Sequence, residues 1–272
     1  MLILLPPSEG KTAPVLGPVL DLGVLLAAGV LERPRREVMQ ALARVSALPE
    51  AARVLGLGPR SAEECALNLL LERAPCAAAH DLFTGVLYDA AGMRELGADP
   101  ACRRALGEHV LIVSGLWGLL RATDPVPDHR LSIGTRLEET GRLAAFWKPW
   151  LAPVLGEAAR EGTARGVVVD CRSGAYSPVW QPAPGQDVTL LRVKVVVERA
   201  DGSRSVVSHH AKHTRGLLAG ALVRALAAGA AATRQDAVEQ VQQVATGLEA
   251  VRGVELGPAD RAGRRDLVLV LA

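Results

Sequence analysis

Short runs of consecutive apolar residues, set between stretches with helical periodicity, define the strands that this sequence predicts. The first run, Met1–Leu5, ends at Pro6 and Pro7, which cannot donate to the hydrogen-bond ladder of a sheet. Other runs are rich in valine, as is typical of strands covered on both faces. The further predicted strands span residues 110–113, 167–170, 188–198, 203–208 and 265–271.

Alanine and leucine at helical spacing fill most of the chain between these strands. Residues 20–107 are predicted to be mostly helical, with glycine and proline as breakers. Ser61 and Glu64 have the spacing of a capping box, which predicts a helix through about Glu72. Later helices are predicted at about 141–160, 210–228 and 234–251. The Asp201-Gly202 pair predicts a hairpin turn. The predicted strands alternate with helices, and a hairpin follows. This order predicts a mixed α/β fold (mixed α+β). We expect a single domain, residues 1–272, around one mixed sheet with surrounding helices.

Composition and charge narrow the classes of function that are open to this protein. The 272 residues carry a net charge of +2, so any site for nucleic acid or another anion must be a local patch. Eight aromatic residues are too few for a row of base-stacking platforms. The four cysteines have no CxxC spacing, which argues against structural zinc and is typical of reduced thiols. No apolar run is long enough to span a membrane. We expect a cytoplasmic protein with no cofactor, no metal, no membrane contact and no evident obligate protein partner.

The segment 110–137 combines small residues with arginines directly after a predicted strand. Glycine allows a close approach of the backbone to a partner, and arginine suits a planar or phosphate-bearing group. This pattern indicates a binding site as well as core packing. The residues that we single out here are Ser114, Gly115, Gly118, Arg121, Arg130 and Arg136.

Two more segments place polar residues where a strand ends, which is where α/β proteins place their sites. In the first, Ser8 to Thr12 ends like a Walker A loop, but Leu5 stands where the first glycine of that loop is required. Lys11 therefore remains a candidate for anion binding, with a solvated surface lysine as the alternative. In the second, Ser173 is a candidate for anion binding and Tyr176 for stacking or proton donation, and an ordinary polar turn is the alternative.

The segment that begins at Ser208 follows a strand and opens a helix, with Ser208 as the expected N-cap. Free amides and the positive end of the helix dipole favour an anion at such a place. Lys212 and Arg215 share one helix face, so we favour a phosphate site over a solvated face. His209 and His213 have the spacing of metal ligands, but the neighbouring lysine and arginine oppose a divalent cation.

Taken together, these segments resemble the YaaA family of peroxide-stress proteins. The resemblance rests on two specific elements, SGLWGLLRATDPVPDHRL from Ser114 and AKHTRG from Ala211, which occur in this order. Further matching pieces are residues 1–12, 83–90, 146–151 and 167–179. The resemblance implies a cytosolic protein that limits peroxide damage, an unusual mixed fold with a basic cleft, and DNA binding. It also implies a helix-hairpin-helix element, which Ser114–Arg121 resembles, with glycine amides directed at a DNA phosphate.

The sequence departs from the family pattern at several places. The lysine loop SEGKT is longer than the usual form, Gly174-Ala175 replaces an acidic pair, and His209-His210 replaces aromatic residues. These changes leave the expected fold intact. They weaken the case for acid–base chemistry near Tyr176.

Two function hypotheses follow. The first is a DNA-binding protein of the oxidative-stress response, which binds duplex or structured DNA without sequence specificity through a basic cleft and loses affinity as salt rises. The alternative is an enzyme that acts on a nucleobase or nucleotide in the same cleft, with Lys11 and Tyr176 as candidate catalytic residues. Direct iron sequestration is disfavoured, because no carboxylate cluster accompanies the histidines. The predicted DNA and phosphate contacts are Lys11, Ser114, Gly115, Gly118, Arg121, Arg130, Arg136, Ser173, Lys212 and Arg215.

Overall fold

The computed structural model describes residues 1–160, 165–199, 202–229, 231 and 233–271. Its strands are β1 (Leu2–Leu5), β2 (Ala77–Ala78), β3 (Val110–Ser114), β4 (Gly118–Arg121), β5 (Pro125–Val126), β6 (Arg136–Leu137), β7 (Gly141–Arg142), β8 (Val167–Asp170), β9 (Thr189–Glu198), β10 (Arg204–Ser205), β11 (Val251–Leu256) and β12 (Arg264–Leu271). Its α-helices are α1 (Ala28–Ser46), α2 (Ala51–Leu55), α3 (Ala79–Leu82), α4 (Val86–Ala91), α5 (Met93–Ala98), α6 (Pro100–His109), α7 (Leu143–Arg160), α8 (Ser208–Ala228) and α9 (Arg234–Thr246). Within the described residues, 3₁₀ helices span Leu22–Val24, Pro59–Leu69 and Ser177–Val179.

One mixed sheet of eight strands organises the fold, in the order β11-β12-β9-β8-β1-β3-β4, with β10 paired to β9. The central neighbours β3, β1, β8, β9 and β12 run parallel to one another. The outer strands β4, β10 and β11 pair antiparallel. A parallel centre places the carboxyl ends of β1, β3 and β8 along one edge of the sheet, where sites in such folds form.

The central strands are buried on both faces, which explains their unbroken apolar sequence. All residues of β1, β3 and β8 are buried, and so are the large rings of Trp117 and Trp147. The core is otherwise aliphatic, as the scarcity of aromatic residues requires.

Most predicted elements are confirmed with small shifts in their ends. The strand predicted at 167–170 is β8 without change, and α8 begins two residues earlier than expected. Val207 is therefore the N-cap of α8, and the prediction of Ser208 at that position was wrong. The turn predicted at Asp201-Gly202 joins β9 to β10, where the Gly202 amide donates to the Arg199 carbonyl, although Asp201 itself lies outside the described residues.

The predicted capping box at Ser61 was also wrong. The segment is a 3₁₀ helix that begins at Pro59 after the N-cap Gly58, so Ser61 lies inside it. Proline favours the first position of a helix because it has no amide to leave unsatisfied there. The helix therefore begins at Pro59, and not after Ser61, the N-cap that the capping-box pattern predicted two residues later.

The segment Ser114–Arg121 is a buried β-hairpin, so it does not form the expected helix-hairpin-helix. Strands β3 and β4 pair antiparallel, with Ser114 opposite Gly118. The Ser114 hydroxyl accepts hydrogen bonds from the amides of Leu116 and Trp117 and so closes the turn. The apolar residues after Gly118 pack into the core as a strand, which is why the helix did not form.

Among the described residues, we find no helix that is both long enough and apolar enough to cross a bilayer.

Candidate functional site

Lys11, Arg130 and Tyr176 lie in the segments that follow β1, β5 and β8. Arg130 acts electrostatically on Lys11, the Tyr176 hydroxyl contacts the Ile133 amide of the Arg130 segment, and Glu9 acts electrostatically on both Lys11 and Tyr176. We call this group, with the ring of Phe83 beneath it, the Lys11 site. Its members come from distant parts of the chain, and each is positioned by hydrogen bonds to the backbone of a neighbouring segment.

Lys11 is positioned by an antiparallel β-bridge to Phe83. On either side of the bridge, the Thr84 amide donates to the Gly10 carbonyl and the Thr12 amide donates to the Leu82 carbonyl, each at 2.9 Å. This pairing holds the lysine loop in an extended form against the end of α3. The Lys11 ammonium consequently lies 5.7 Å from the centroid of the buried Phe83 ring.

The environment of Lys11 favours its neutral amine. Burial, followed by the positive charge of Arg130, lowers the pKa of Lys11 to about 8. The carboxylates of Asp128, Glu64 and Glu9 oppose this shift but do not cancel it. About a tenth of a lysine with that pKa is neutral at pH 7, against roughly one in three thousand for an unperturbed lysine. Lys11 is therefore suited both to hold an anion and to act as a nucleophile or base.

Arg130 is fixed by two carboxylates. Its guanidinium forms ion pairs with Glu64 and, at 2.7 Å, with Asp128. Asn68 holds the backbone on both sides, because its side-chain oxygen accepts from the Arg130 amide and its side-chain nitrogen donates to the Arg130 carbonyl. Although burial opposes it, these carboxylates raise the pKa of Arg130. Most of the Arg130 charge is thus compensated, which leaves Lys11 as the less compensated cation of the pair.

His129 forms a neutral wall behind the lysine. Burial and then the nearby Lys11 charge hold the pKa of His129 well below its usual value. Its Nδ1–H donates to the Pro127 carbonyl at 2.9 Å, and its ring meets Phe83 and Trp117 edge to face. His129 therefore adds no positive charge and excludes water from one side of Lys11.

Tyr176 closes the site from the loop after β8. Its hydroxyl accepts a hydrogen bond from the Ile133 amide at 3.4 Å. Burial raises the pKa of Tyr176, and the Glu9 charge adds to this effect. The exposed Glu9 carboxylate thus acts electrostatically on both Lys11 and Tyr176. Three groups here are suited to acid–base chemistry: the neutral Tyr176 phenol, which can donate a proton, the Glu9 carboxylate, and the partly neutral Lys11 amine.

A short hairpin of β6 and β7 lies three residues beyond this contact, and we call it the arginine hairpin. Arg136 and Arg142 are directly opposite each other across its two strands, and both are exposed. Neither has an ion-pair or hydrogen-bond partner among the residues that the structure describes. In the connecting turn, Glu139 is already bound to Arg44. Like charges in this position destabilise a hairpin, and a bound anion removes that cost.

The predicted residues after β8 have a structural role as well. The Ser173 carbonyl accepts the amides of Tyr176 and Ser177 and so forms the turn that presents Tyr176. Behind it, the fully buried Arg172 forms a two-point ion pair with Asp170, at 2.7 and 2.9 Å. Arg172 also donates to the Trp180 carbonyl, which ties the loop to the sheet.

The two cations of α8 differ in their surroundings. Arg215 donates twice to the Val193 carbonyl of β9, at 2.8 and 3.1 Å, so its guanidinium is largely committed to the sheet. Its charge also acts on Cys171, the residue directly after β8. Lys212, one turn earlier, is exposed. Arg215 therefore lies near the carboxyl end of β8.

Other predicted contacts are buried or lie apart from Lys11. Gly115 and Gly118 are buried, and a Cβ atom on Gly118 would come within 2.6 Å of the Trp147 ring. Their amides therefore do not face solvent. Arg121 lies at the far end of β4, where it pairs with Asp124 at 3.5 Å. No contact joins Arg121 to the Lys11 site in the described part of the chain.

Several residues of the site were missed by sequence reasoning. Glu64, Asp128 and His129 surround Lys11, and Arg142 completes the arginine hairpin. Asp128 and His129 directly precede a candidate arginine, which was an available signal. Glu64 had none, since it was interpreted as part of a helix cap.

Within the described residues, no group of three or more histidine, cysteine, aspartate or glutamate side chains is arranged to hold a metal ion.

Comparison with known proteins places the chain in a family. A family model described as peroxide stress protein YaaA matches residues 1–242. A UPF0246 protein of Streptomyces coelicolor is 40% identical over 225 residues, which is 82% of this chain and 83% of the relative. UPF0246 proteins from two strains of Corynebacterium glutamicum are 38% identical over 220 residues (80% of this chain, 83% of the relative) and 37% identical over 243 residues (89% and 92%). The chain belongs to the YaaA family of peroxide-stress proteins.

Proposed function

We propose that this protein binds DNA during peroxide stress, without sequence specificity, and that the arginine hairpin and the Lys11 site together form the contact surface. The observation that carries the proposal is the cross-strand pair Arg136 and Arg142. Both are exposed and without a partner among the described residues, and their segment contacts Tyr176 of the Lys11 site through Ile133. Arginine binds phosphate through two parallel hydrogen bonds, and such contacts position a nucleic acid without reading its bases.

The layout of charge fits a phosphate chain better than a single small anion. Arg136 and Arg142 are exposed, whereas Lys11 is half-buried in the Lys11 site. The Ile133–Tyr176 contact links this site to the arginine hairpin. An extended polyanion can engage both positions at once. Because the whole chain carries a net charge of only +2, the affinity should be modest and should depend on few contacts.

Salt dependence of DNA binding tests this proposal. Each lost phosphate contact lowers the slope of log affinity against log salt by about 0.9, so Arg136→Gln with Arg142→Gln should lower it by about 1.8. The measurement is fluorescence anisotropy of a labelled duplex over a range of salt concentrations.

A matched control changes the same charge elsewhere. Arg33→Gln with Arg36→Gln removes two exposed arginines of α1 that already pair with glutamates. This control should leave the slope as in the unmodified protein. Equal slopes for both double variants, or binding that does not depend on salt, would reject the arginine hairpin as the DNA contact.

A second candidate function is an enzyme that acts on a nucleobase or nucleotide in the same site. The observation that favours it is the half-buried position of Lys11 over the Phe83 ring, because a partly neutral amine is more than simple charge attraction requires.

A further inference from the structure

We propose that Lys11 forms an imine with the sugar aldehyde of DNA at a position that has lost its base. This inference rests on the proposed DNA binding and names the substrate of the same site. It follows from the position of Lys11, whose amine is held half-buried over the Phe83 ring, with the Glu9 carboxylate in electrostatic range of both Lys11 and Tyr176.

The amine is held where a carbonyl could reach it. The β-bridge to Phe83 fixes the backbone of Lys11, and its Nζ lies over the Phe83 ring in a half-buried position. An amine must be neutral to attack a carbonyl, and burial beside Arg130 favours that form. The other lysines are either exposed, as Lys148 and Lys212 are, or paired, as Lys194 is with Asp266.

A base-free position is the part of DNA that this site suits. The Lys11 amine needs a carbonyl carbon to attack, and the sugar of DNA offers a free aldehyde at C1′ only where the base has been lost. The flanking phosphates of the same strand remain available to Arg136 and Arg142 on the outside.

The first step balances without a cofactor. The neutral Nζ of Lys11 adds to C1′ of the open-chain sugar, and a proton moves from nitrogen to the former carbonyl oxygen. This oxygen takes a second proton and leaves as water, so a protonated C=N bond remains. The Tyr176 hydroxyl is the donor that we assign to the second proton, because burial raises the pKa of Tyr176 and keeps this group protonated.

The second step cleaves the strand. A base removes a proton from C2′, the electron pair forms a C=C bond, and the C3′–O bond breaks with the 3′ phosphate as leaving group. Glu9 is the base that we assign, because its exposed carboxylate lies within electrostatic range of both Lys11 and Tyr176. Water then hydrolyses the imine, which regenerates the Lys11 amine and releases an unsaturated aldehyde.

Borohydride trapping tests the inference, because borohydride reduces an imine to a stable amine. We expect the unmodified protein to form a covalent adduct with a duplex that contains one base-free position, and peptide mapping to place this adduct on Lys11. Lys11→Arg keeps the charge but should abolish the adduct. Lys148→Arg, the same change at an exposed lysine outside the site, should retain it.

Further measurements distinguish an error in the role of Tyr176 from an error in the imine or in the proposed DNA binding. Tyr176→Phe should slow the trapping by about a hundredfold, while trapping that proceeds at an unchanged rate would remove Tyr176 from the reaction. An adduct on another amine, or an equal yield with Lys11→Arg, overturns the inference. Absence of an adduct while the unmodified protein still binds duplex DNA overturns the inference alone. Absence of DNA binding overturns the proposed function together with it.

Discussion

At the scale of single residues, Lys11 has the most distinctive chemistry in the described structure. Its pKa falls to about 8 because it is buried beside Arg130, and the three nearby carboxylates do not fully restore it. The position of Lys11 in a loop after a strand could be predicted from sequence. Its enclosure could not, because Phe83, His129 and Glu64 reach it from segments far away in the chain.

The lowered pKa predicts a distinct labelling profile. With its pKa reduced, Lys11 loses its proton at lower pH than an ordinary lysine, so its acylation rate should level off above about pH 8. Its contribution to DNA binding should fall over the same range, as the positive charge is lost. Mass spectrometry of acylated peptides follows each of the four lysines separately. A Lys11 rate that rises in parallel with that of exposed Lys148 up to pH 10 would contradict this environment.

At the scale of elements, the β3–β4 hairpin shows where sequence reasoning succeeded and where it failed. The strand at β3 was predicted because its residues are uniformly apolar. The hairpin after it was missed, since a glycine pair around Leu116 and Trp117 fits several kinds of turn. The Ser114 hydroxyl, which closes the turn, and Trp147 of α7, whose indole nitrogen donates to the Gly115 carbonyl at 2.8 Å, fix the observed hairpin.

Two glycines with the same backbone conformation allow a test of this packing. Gly118 and Gly141 both have a φ of +69°, but only at Gly118 would a Cβ collide with the Trp147 ring. Gly141→Ala should therefore carry the backbone cost alone, about 1 kcal/mol. Gly118→Ala should destabilise by a further 1–3 kcal/mol or so, because the core is overpacked. Urea denaturation measures both free energies of unfolding, and equal losses would show that the ring can move aside.

At the scale of the whole molecule, the parallel centre of the sheet explains how the site assembles. It brings the loops after β1 and β8 to one edge, and so places Lys11 and Tyr176 at the same edge although 164 residues lie between them in the chain. The alternation of strands and helices predicted the mixed fold, and hence this edge. It did not predict which cations remain available, because ion pairs such as Arg130 with Glu64 depend on the three-dimensional arrangement.

The distribution of charge also revises the picture of a broad basic cleft. Arg121, Arg130 and Arg215 are held by carboxylates or by a carbonyl group of the protein. Of the predicted cations, Arg136 and Lys212 are exposed and have no ion-pair or hydrogen-bond partner among the described residues, and the same holds for Arg142 opposite Arg136. A small surface of this kind predicts few phosphate contacts and a shallow dependence on salt.

The most direct test of DNA binding at the Lys11 site is a lysine footprint, in which the protein is acylated at pH 8 with and without duplex DNA. If DNA binds at the Lys11 site, it should slow acylation of Lys11 while the rates at Lys148 and Lys194 stay the same. If bound DNA leaves the rate at Lys11 unchanged, or protects Lys148 and Lys194 instead, the DNA surface lies elsewhere and the proposed function of the Lys11 site is wrong.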